Sequence, residues 1–117
     1  MAALTLSKRV SVGYFPVTTN TLTSADTITY VQGTFQTIEF TNTTAGAITV
    51  TLLGNAVSPV SVQGVGNVSV ASGYPVIVPA GVGATVNLIL DNVYAYLQGT
   101  SVAVTGGVGV TVQCLTN

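Results

Sequence analysis

Hydrophobic and polar residues alternate with a period of two in the stretch 36–53, QTIEFTNTTAGAITVTLL. Alternation with this period places one set of side chains on each face of a strand. Between the two alternating runs, Asn42 and Gly46 tolerate the left-handed backbone that a chain reversal needs. The pattern predicts a β-hairpin with a threonine-rich outer face. Its inner face is apolar and consists of Ile38, Phe40, Ile48, Val50 and Leu52.

Shorter runs of the same kind recur along the chain, and valine and threonine, which prefer pleated surfaces, dominate them. No segment keeps a helical period of 3.6 over three turns. We expect a second hairpin from residues 60–62 and 68–70, around a glycine-rich turn. Residues 76–78, between Pro75 and Pro79, are expected as an edge strand or a sheet-switching corner. Further strands are predicted at 10–15, 27–31, 84–91, 93–97, 102–104 and 108–115, the last two joined by a tight hairpin turn at Gly106-Gly107.

Short strands at intervals of roughly ten residues predict an all-β fold, an antiparallel β-sandwich or a small barrel. A jelly roll fits best, because it closes such a strand count over one valine-rich core. The alternative is an immunoglobulin-like Greek-key sandwich, which has no tryptophan and no cysteine pair to support it here. We expect one sandwich domain at residues 27–117. Residues 1–26 are expected to form an extended arm, a short strand and a polar connection anchored only by Leu22.

Charged residues make up 4 % of the chain, against roughly 25 % in a typical soluble domain. The resulting surface offers little repulsion between molecules, which favours association with partners. Two cations cannot neutralise the several phosphates of a nucleic-acid interface, so we expect no nucleic-acid partner. The five charged residues are Lys8, Arg9, Asp26, Glu39 and Asp91.

Membrane partners and secretion are not expected from the sequence either. Polar residues or glycine interrupt every apolar segment before it reaches the roughly 18 residues of a membrane-spanning helix. The first short apolar piece precedes Lys8 and Arg9, whereas a secretory signal has the opposite order and a longer apolar core. We therefore expect synthesis in the cytoplasm.

The sequence offers no set of residues for catalysis, metal binding or a cofactor, and we expect no enzyme. The chain has no histidine, and Glu39 and Asp91 both fall on the outward register of their predicted strands. One cysteine without histidine cannot ligate zinc, and no calcium-binding loop occurs. Cys114 is in phase with Val108, Val110 and Val112, which predicts a buried thiol.

Two regions are candidate partner contacts. Tyr94 and Tyr96 project from the same face of the predicted strand 93–97, where they either lie at an interface centre or cover the second face of the sandwich. The arm at residues 1–7 is expected to become ordered against a neighbour, with the adjacent cations beside it. The predicted partner-binding residues are Leu4, Leu6, Lys8, Arg9, Tyr94 and Tyr96.

Four segments carry a resemblance to a known class of protein: IEFTNTTAGAITVTL (38–52), VPAGVGATVNLIL (78–90), VYAYLQGTSVAV (93–104) and GGVGVTVQC (106–114). In a small, nearly uncharged β chain, they resemble the decoration, or cement, proteins of tailed-bacteriophage capsids. The likeness covers most of the chain from about residue 27 and includes no diagnostic motif, so no site residue is transferred. The resemblance implies a jelly roll or related sandwich, located on the virion. Such proteins bind as dimers or trimers over junctions between coat subunits and stabilise the assembled capsid.

A recognition module is the alternative function, either in a phage tail or fibre or as a carbohydrate-binding sandwich. A sugar site needs exposed aromatic rings beside carboxylates or amides, and Tyr94, Tyr96 and Asp91 are the local approximation to one. The coat protein of an RNA phage has a similar length but needs a basic face to hold its genome, which this chain lacks.

Overall fold

The computed structural model describes residues 2–10, 13–54, 60–62, 64, 66–68, 73–97 and 100–117. The predicted all-β fold is confirmed, and a 3-10 helix (Leu90–Val93) and a one-turn helix α1 (Tyr94–Leu97) connect two of its strands. The strands are β1 (Ala2–Ala3), β2 (Leu6–Lys8), β3 (Thr19–Thr21), β4 (Ala25–Thr29), β5 (Thr37–Asn42), β6 (Ile48–Leu53), β7 (Val60–Val62), β8 (Gly66–Val68), β9 (Tyr74–Val78), β10 (Thr85–Ile89), β11 (Ser101–Thr105) and β12 (Val110–Thr116).

Two five-stranded sheets enclose one apolar core. The first sheet has the order β1-β4-β11-β6-β9, and the second has the order β10-β5-β12-β2, with β3 also paired to β12. Neighbouring strands are antiparallel except for the pairs β1–β4 and β12–β2, which are parallel. The largest fully buried apolar side chains include Ile28, Tyr30, Ile38, Phe40, Leu52, Leu90 and Leu97.

The order in which the chain visits the sheets is that of a jelly roll. From β3 to β6 the chain changes sheet at every step, β6 and β9 lie side by side, and β10, β11 and β12 alternate again. The two sets β3-β12-β5-β10 and β4-β11-β6-β9 are the paired four-stranded sheets of this fold. An immunoglobulin-like sandwich divides its strands differently, as ABED against CFG, and does not fit.

The predicted hairpin at residues 36–53 is wrong in its pairing. β5 belongs to one sheet and β6 to the other, and residues 43–47 cross between the sheets. The predicted faces are nevertheless correct, because Ile38 and Phe40 point into the core opposite Val50 and Leu52. Alternation determines which face of a strand is buried, but it does not determine the strand with which it pairs.

Asn42 determines the path of this crossing. Its buried side-chain amide donates hydrogen bonds to the carbonyl oxygens of Gly46 (2.7 Å) and Pro79 (2.9 Å). Its Oδ1 accepts hydrogen bonds from the backbone N–H and the hydroxyl of Thr44, both at 2.8 Å. A short polar side chain thus satisfies backbone groups that neither sheet pairs at this end.

The tight hairpin predicted at Gly106-Gly107 is a second crossing between sheets. Gly106 has a φ of 74°, and Gly107 lies so close to the side chain of Leu22 that a Cβ would overlap it. Val108, which the periodicity assigns to the buried face, lies in this connection and is 64 % exposed. The later members of the run keep the predicted register, and Cys114 is buried as expected. Burial raises the pKa of its thiol to about 12.

The strand predicted at residues 93–97 is absent, because this segment forms the two helical turns between β10 and β11. The chain must cross from one sheet to the other here, and the turns place Leu90, Val93 and Leu97 in the core. These residues are three and four positions apart, which is the spacing of one helical face. Tyr94 and Tyr96 therefore do not share the face of a strand.

Residues 2–8 do not form an extended arm. β1 adds to the outer edge of β4 and β2 adds to β12, so this segment connects the two sheets along one open side of the sandwich. Leu4, between the two strands, is buried, and its backbone N–H donates a 2.8 Å hydrogen bond to the carbonyl of Thr27. Covering the core with Leu4 and pairing two sheet edges give the segment a place on its own chain. β4 spans the expected boundary between residues 26 and 27.

The remaining strand predictions are met in part. β4 begins two residues before the predicted strand 27–31, and Leu22 is the buried anchor that was expected. β9 is an edge strand, as predicted from its flanking prolines. β7 and β8 form the second hairpin with Val60 opposite Val68, although β8 begins at Gly66 and residues 69–70 lie outside the described residues. Residues 13–15 of the predicted strand 10–15 are not in a strand, and residues 11–12 are not described.

Candidate interaction surface

One end of the sandwich combines the loop 30–36, the helical turns 90–97 and the C-terminus. Thr37 begins β5 at this end, where it pairs with Ile89 on one side and Leu115 on the other. In the opposite sheet, β4 ends beside the start of β11, and Tyr30 continues the contact by donating its backbone N–H to the carbonyl of Thr100 at 2.8 Å. The loop between β4 and β5 is therefore surrounded by ordered backbone.

Gln36 fixes the base of this loop from within. Its side chain is buried, donates a hydrogen bond to the carbonyl of Thr29 and accepts one from the backbone N–H of Val31, both at 2.8 Å. Its own carbonyl accepts a 2.8 Å hydrogen bond from the backbone N–H of Leu90. These contacts leave the loop few alternative paths between its two strands.

Asp91 holds the loop from the side of the helical turns. Its carboxylate accepts hydrogen bonds from the hydroxyl of Tyr30 (2.8 Å) and from the backbone N–H groups of Gly33 (3.1 Å) and Phe35 (3.3 Å). Desolvation raises the pKa of this carboxyl, but the hydrogen bonds from Tyr30, Gly33 and Phe35 outweigh it and lower the pKa below its usual value. Burial, and then the contact with Asp91, raise the pKa of Tyr30. Asp91 is partly exposed, in agreement with the surface position expected for it, but it lies on a helical turn instead of the predicted strand, and its carboxylate is directed to the loop.

Arg9 holds the same loop from the opposite side. Its Nη1 donates to the carbonyl oxygen of Phe35 (2.9 Å) and to Oδ1 of Asn117 (3.0 Å), and its Nη2 donates to the hydroxyl of Thr37 (2.6 Å). Phe35 therefore has an anionic group on its N–H and a cationic group on its carbonyl. Charge-assisted hydrogen bonds of this kind are stronger than neutral ones, so they fix the backbone of this residue firmly.

Exposed apolar side chains lie on this anchored loop and on the segments next to it. Val31 and Phe35 belong to the loop, and Phe35 is 58 % exposed. Ile89 lies at the adjoining end of β10, Tyr94 has its ring 6.3 Å from that of Tyr30, and Val10 follows Arg9 directly. We call this set the Phe35 surface; its members are Val10, Val31, Phe35, Ile89 and Tyr94.

The structure places the predicted partner-binding residues in different surroundings. Arg9 and Tyr94 contact the anchored loop, and Lys8 is exposed at the end of β2 nearby. Tyr96 is half-buried with its ring 5.2 Å from that of Tyr74, so the two tyrosines have different surroundings. A binding role for these four residues stays a prediction.

The two leucines of the predicted set have a different position. Leu4 is buried in the core, and Leu6 packs against it from β2. Both residues therefore stabilise the chain's own sandwich and have little surface to offer to a partner.

Phe35 is the residue that the sequence argument missed. The period-two alternation could have indicated it, because residue 35 is out of phase with the buried Ile38 and Phe40. It also lies in a polar turn, two residues after Gly33. An aromatic residue at such a position is directed away from the core. Its hydrogen bonds to Arg9 and Asp91 have no counterpart in the sequence pattern, since they join segments 26 and 56 residues away.

Asp26, like Arg9 and Asp91, makes hydrogen bonds within the fold. The carboxylate of Asp26 is buried and accepts 2.8 Å hydrogen bonds from the N–H and hydroxyl of Thr23. Within the described ranges, no three histidine, cysteine or acidic side chains come together as metal ligands. No helix among these residues has the length and apolar character required to cross a membrane.

Comparison with known proteins gives no relative from which a function could be transferred. Neither a protein-family model, nor a curated protein, nor a solved structure matches this chain. Its function must therefore be argued from its own surface.

Proposed function

We propose that this protein is a structural component of a virion, which binds the outside of an assembled phage capsid and stabilises it by bridging coat subunits. The observation that carries the proposal is a nearly neutral surface on a jelly roll, with apolar side chains exposed on the anchored Phe35 surface. Such a surface favours lasting association with another protein over free diffusion.

The distribution of charge supports this role. Three of the five charged side chains, Arg9, Asp26 and Asp91, make hydrogen bonds within the fold. A binding face with so little charge must obtain its affinity from apolar burial and from hydrogen bonds of neutral groups. Attachment of this kind depends little on ionic strength, in contrast to docking through cations.

The way in which the chain bridges subunits follows from the position of its N-terminus. Residues 2–8 are paired with both sheets, so removing them would disturb the fold instead of isolating a tether. The contacts to coat subunits must therefore come from folded faces of the sandwich. A standard interface buries roughly 1,600 Å² in total, and smaller contacts to several subunits can reach a similar strength through multivalency.

Sedimentation of particles tests the proposal. Virions of the phage that encodes the chain are separated on a density gradient, and the chain is detected in the fractions with an antibody. We expect it in the fraction of filled or empty heads, bound equally at about 50 and 500 mM NaCl. Heads depleted of the chain should rupture at a lower temperature than heads to which it is restored, because a ligand of the assembled lattice stabilises it by mass action.

Two results would contradict the proposal. Depleted heads that are as heat-resistant as restored heads would exclude a stabilising role. Recovery of the chain with tails or fibres would favour the recognition module. A carbohydrate site has less support, because Asp91 accepts its hydrogen bonds from the chain itself and Tyr96 packs on Tyr74.

A further inference from the structure

One edge of the two main sheets lacks the protection that the other edges have. An edge strand presents unpaired backbone groups, which proteins normally shield by a short strand, a proline or a charge. β1 has two residues, β3 has three, and β2 has three and ends at Lys8. β9 contains Pro75 and is followed directly by Pro79. β10 lies at the end of the second sheet beside β5, and its five residues, TVNLI, include neither a proline nor a charged side chain.

Alternate residues of β10 direct their backbone groups to this open edge. Just before the strand, the N–H of Asn42 donates a 2.8 Å hydrogen bond to the carbonyl of Ala84. Just after it, the N–H of Leu90 donates to the carbonyl of Gln36, also at 2.8 Å. In an antiparallel pair every second residue bonds to the neighbouring strand, so the even-numbered residues of β10 face β5. The N–H and carbonyl groups of the odd-numbered residues therefore face away from it; these residues, all with exposed side chains, are Thr85, Asn87 and Ile89.

The side chains of β10 indicate what can occupy this edge. Val86 and Leu88 pack against the core but are only half-buried, because no further strand covers them in the described part of the chain. A strand added here would place alternate side chains beside Val86 and Leu88, where apolar groups fit. Its other side chains would lie beside Thr85 and Asn87, where neutral polar groups fit.

We propose that the edge of β10 is a docking site for an extended, uncharged segment of a partner protein, which adds to the second sheet as a further strand. Unpaired N–H and carbonyl groups in a row are complementary to another extended backbone, and strand addition is an established mode of peptide recognition. The chain itself uses this mode on the opposite side of the sandwich, where β1 and β2 add to β4 and β12. The proposal goes beyond the proposed function, because it names the chemistry of the bound segment whether or not the partner is a coat protein.

A bound segment longer than β10 would continue onto the Phe35 surface, to which Ile89 belongs. There the ring of Phe35 is more than half exposed, although its φ of 50° is one that a bulky residue disfavours and that glycine adopts without strain. Apolar residues at this end of the partner segment would bury part of that surface, in addition to the backbone hydrogen bonds along β10.

Amide hydrogen exchange of the isotope-labelled chain, measured residue by residue by NMR, tests the proposal. The probe is a capped peptide of about seven alternating valine and threonine residues. In the free chain the amides of Thr85, Asn87 and Ile89 should exchange fast, and those of Val86 and Leu88 slowly. With the peptide at about 1 mM, the first three amides should be protected about tenfold, as a Kd of about 0.1 mM implies. The same peptide with a central proline should protect none of them.

Two variants of Asn87 separate its backbone from its side chain. Asn87→Pro removes the outward N–H, which is not part of the ladder with β5, and proline is tolerated on an edge strand. It should weaken binding of the peptide about tenfold, because at least one backbone hydrogen bond is lost. Asn87→Ala keeps the N–H and should bind within about twofold of the unmodified chain. The control is Ile77→Ser, which removes an exposed apolar side chain from the edge strand β9 and should leave binding unchanged.

Four results would overturn the proposal. Slow exchange of the three outward amides in the free, dilute chain would show that the edge is closed within the chain. Protection that rises with the concentration of the chain alone would assign the edge to a second copy. Absence of protection by the peptide up to about 1 mM, or equal binding by Asn87→Pro, would exclude recognition through the backbone. The exchange measurement on the unmodified chain decides the question if Asn87→Pro fails to fold.

Discussion

Replacing Asn42 should destabilise the sandwich more than its size suggests, because its side chain organises the crossing between the sheets. In Asn42→Ala the backbone N–H of Thr44 and the carbonyl of Pro79 lose the partners that Asn42 provides. Gly46 keeps the 3.1 Å hydrogen bond that its carbonyl accepts from the hydroxyl of Thr44. A buried group left without a partner costs about 1–3 kcal/mol, and because Pro79 is exposed and Thr44 is half-buried, we expect a total loss of about 1–3 kcal/mol in the free energy of unfolding.

Asn42→Asp separates hydrogen bonding from packing, because the two side chains have nearly the same shape. An aspartate keeps the acceptor for Thr44 but places a second oxygen against the carbonyls of Gly46 and Pro79. Burial and these carbonyls should raise the pKa of the new carboxyl above its unfolded value of about 3.9. The folded state then binds more protons than the unfolded state between the two pKa values. Stability should therefore fall as the pH rises through this window and stay low above the folded pKa.

Urea unfolding, measured at several pH values, tests this reasoning. With a slope of about 1–3 kcal/mol per molar urea, the expected loss moves the midpoint by roughly 1 M. Asn87 is the control, because it is exposed on the edge strand β10. Asn87→Ala should have little effect, and Asn87→Asp, opposite Glu39, should cost less than about 1 kcal/mol. The argument is refuted if Asn42→Ala costs no more than Asn87→Ala, or if the pH profile of Asn42→Asp parallels that of the unmodified chain.

Two further substitutions test the core and the second crossing. Phe40→Ala, at a fully buried position, should lower the free energy of unfolding by about 3–5 kcal/mol. Thr49→Ala, on the exposed face of β6, should lower it by much less. Comparable urea midpoints for the two variants would show that the faces are misassigned. Gly107→Ala should lower the free energy of unfolding by about 1–3 kcal/mol, because its new methyl group overlaps Leu22. Gly46→Ala is the control: a methyl group there has no atom within 4 Å and should be neutral or slightly stabilising. Equal thermal midpoints for the two variants would contradict the close approach of Gly107 to Leu22.

The buried faces of the strands could be predicted from the sequence, but their partners could not. Ile38, Phe40, Val50 and Leu52 are all buried, as the period of two predicts, yet the two strands that carry them belong to different sheets. A five-residue connection that contains glycine and directly follows an asparagine is compatible with a hairpin and with a crossing between sheets. The outcome depends on the carbonyl of Pro79, which lies 37 residues away and accepts a hydrogen bond from Asn42. Local pattern contains no information about such a partner.

The helical turns and the Phe35 surface show two further limits of periodicity. Residues 90–97 bury Leu90, Val93 and Leu97 with helical spacing, but alternation over the same segment is equally visible, and a segment this short cannot decide between them. Asp91 appears in the sequence as an isolated surface charge. Its role follows from Tyr30, Gly33 and Phe35, which lie in another part of the chain and meet it only in the folded sandwich.

The two ends of β5 use polar side chains for opposite purposes. At one end Asn42 satisfies the backbone of a crossing, and the result is stability. At the other end Arg9 and Asp91 hold Phe35 in a conformation that costs about 1–3 kcal/mol. Glycine at position 35 would avoid this cost and keep both backbone hydrogen bonds. Stability alone therefore does not account for phenylalanine at this position.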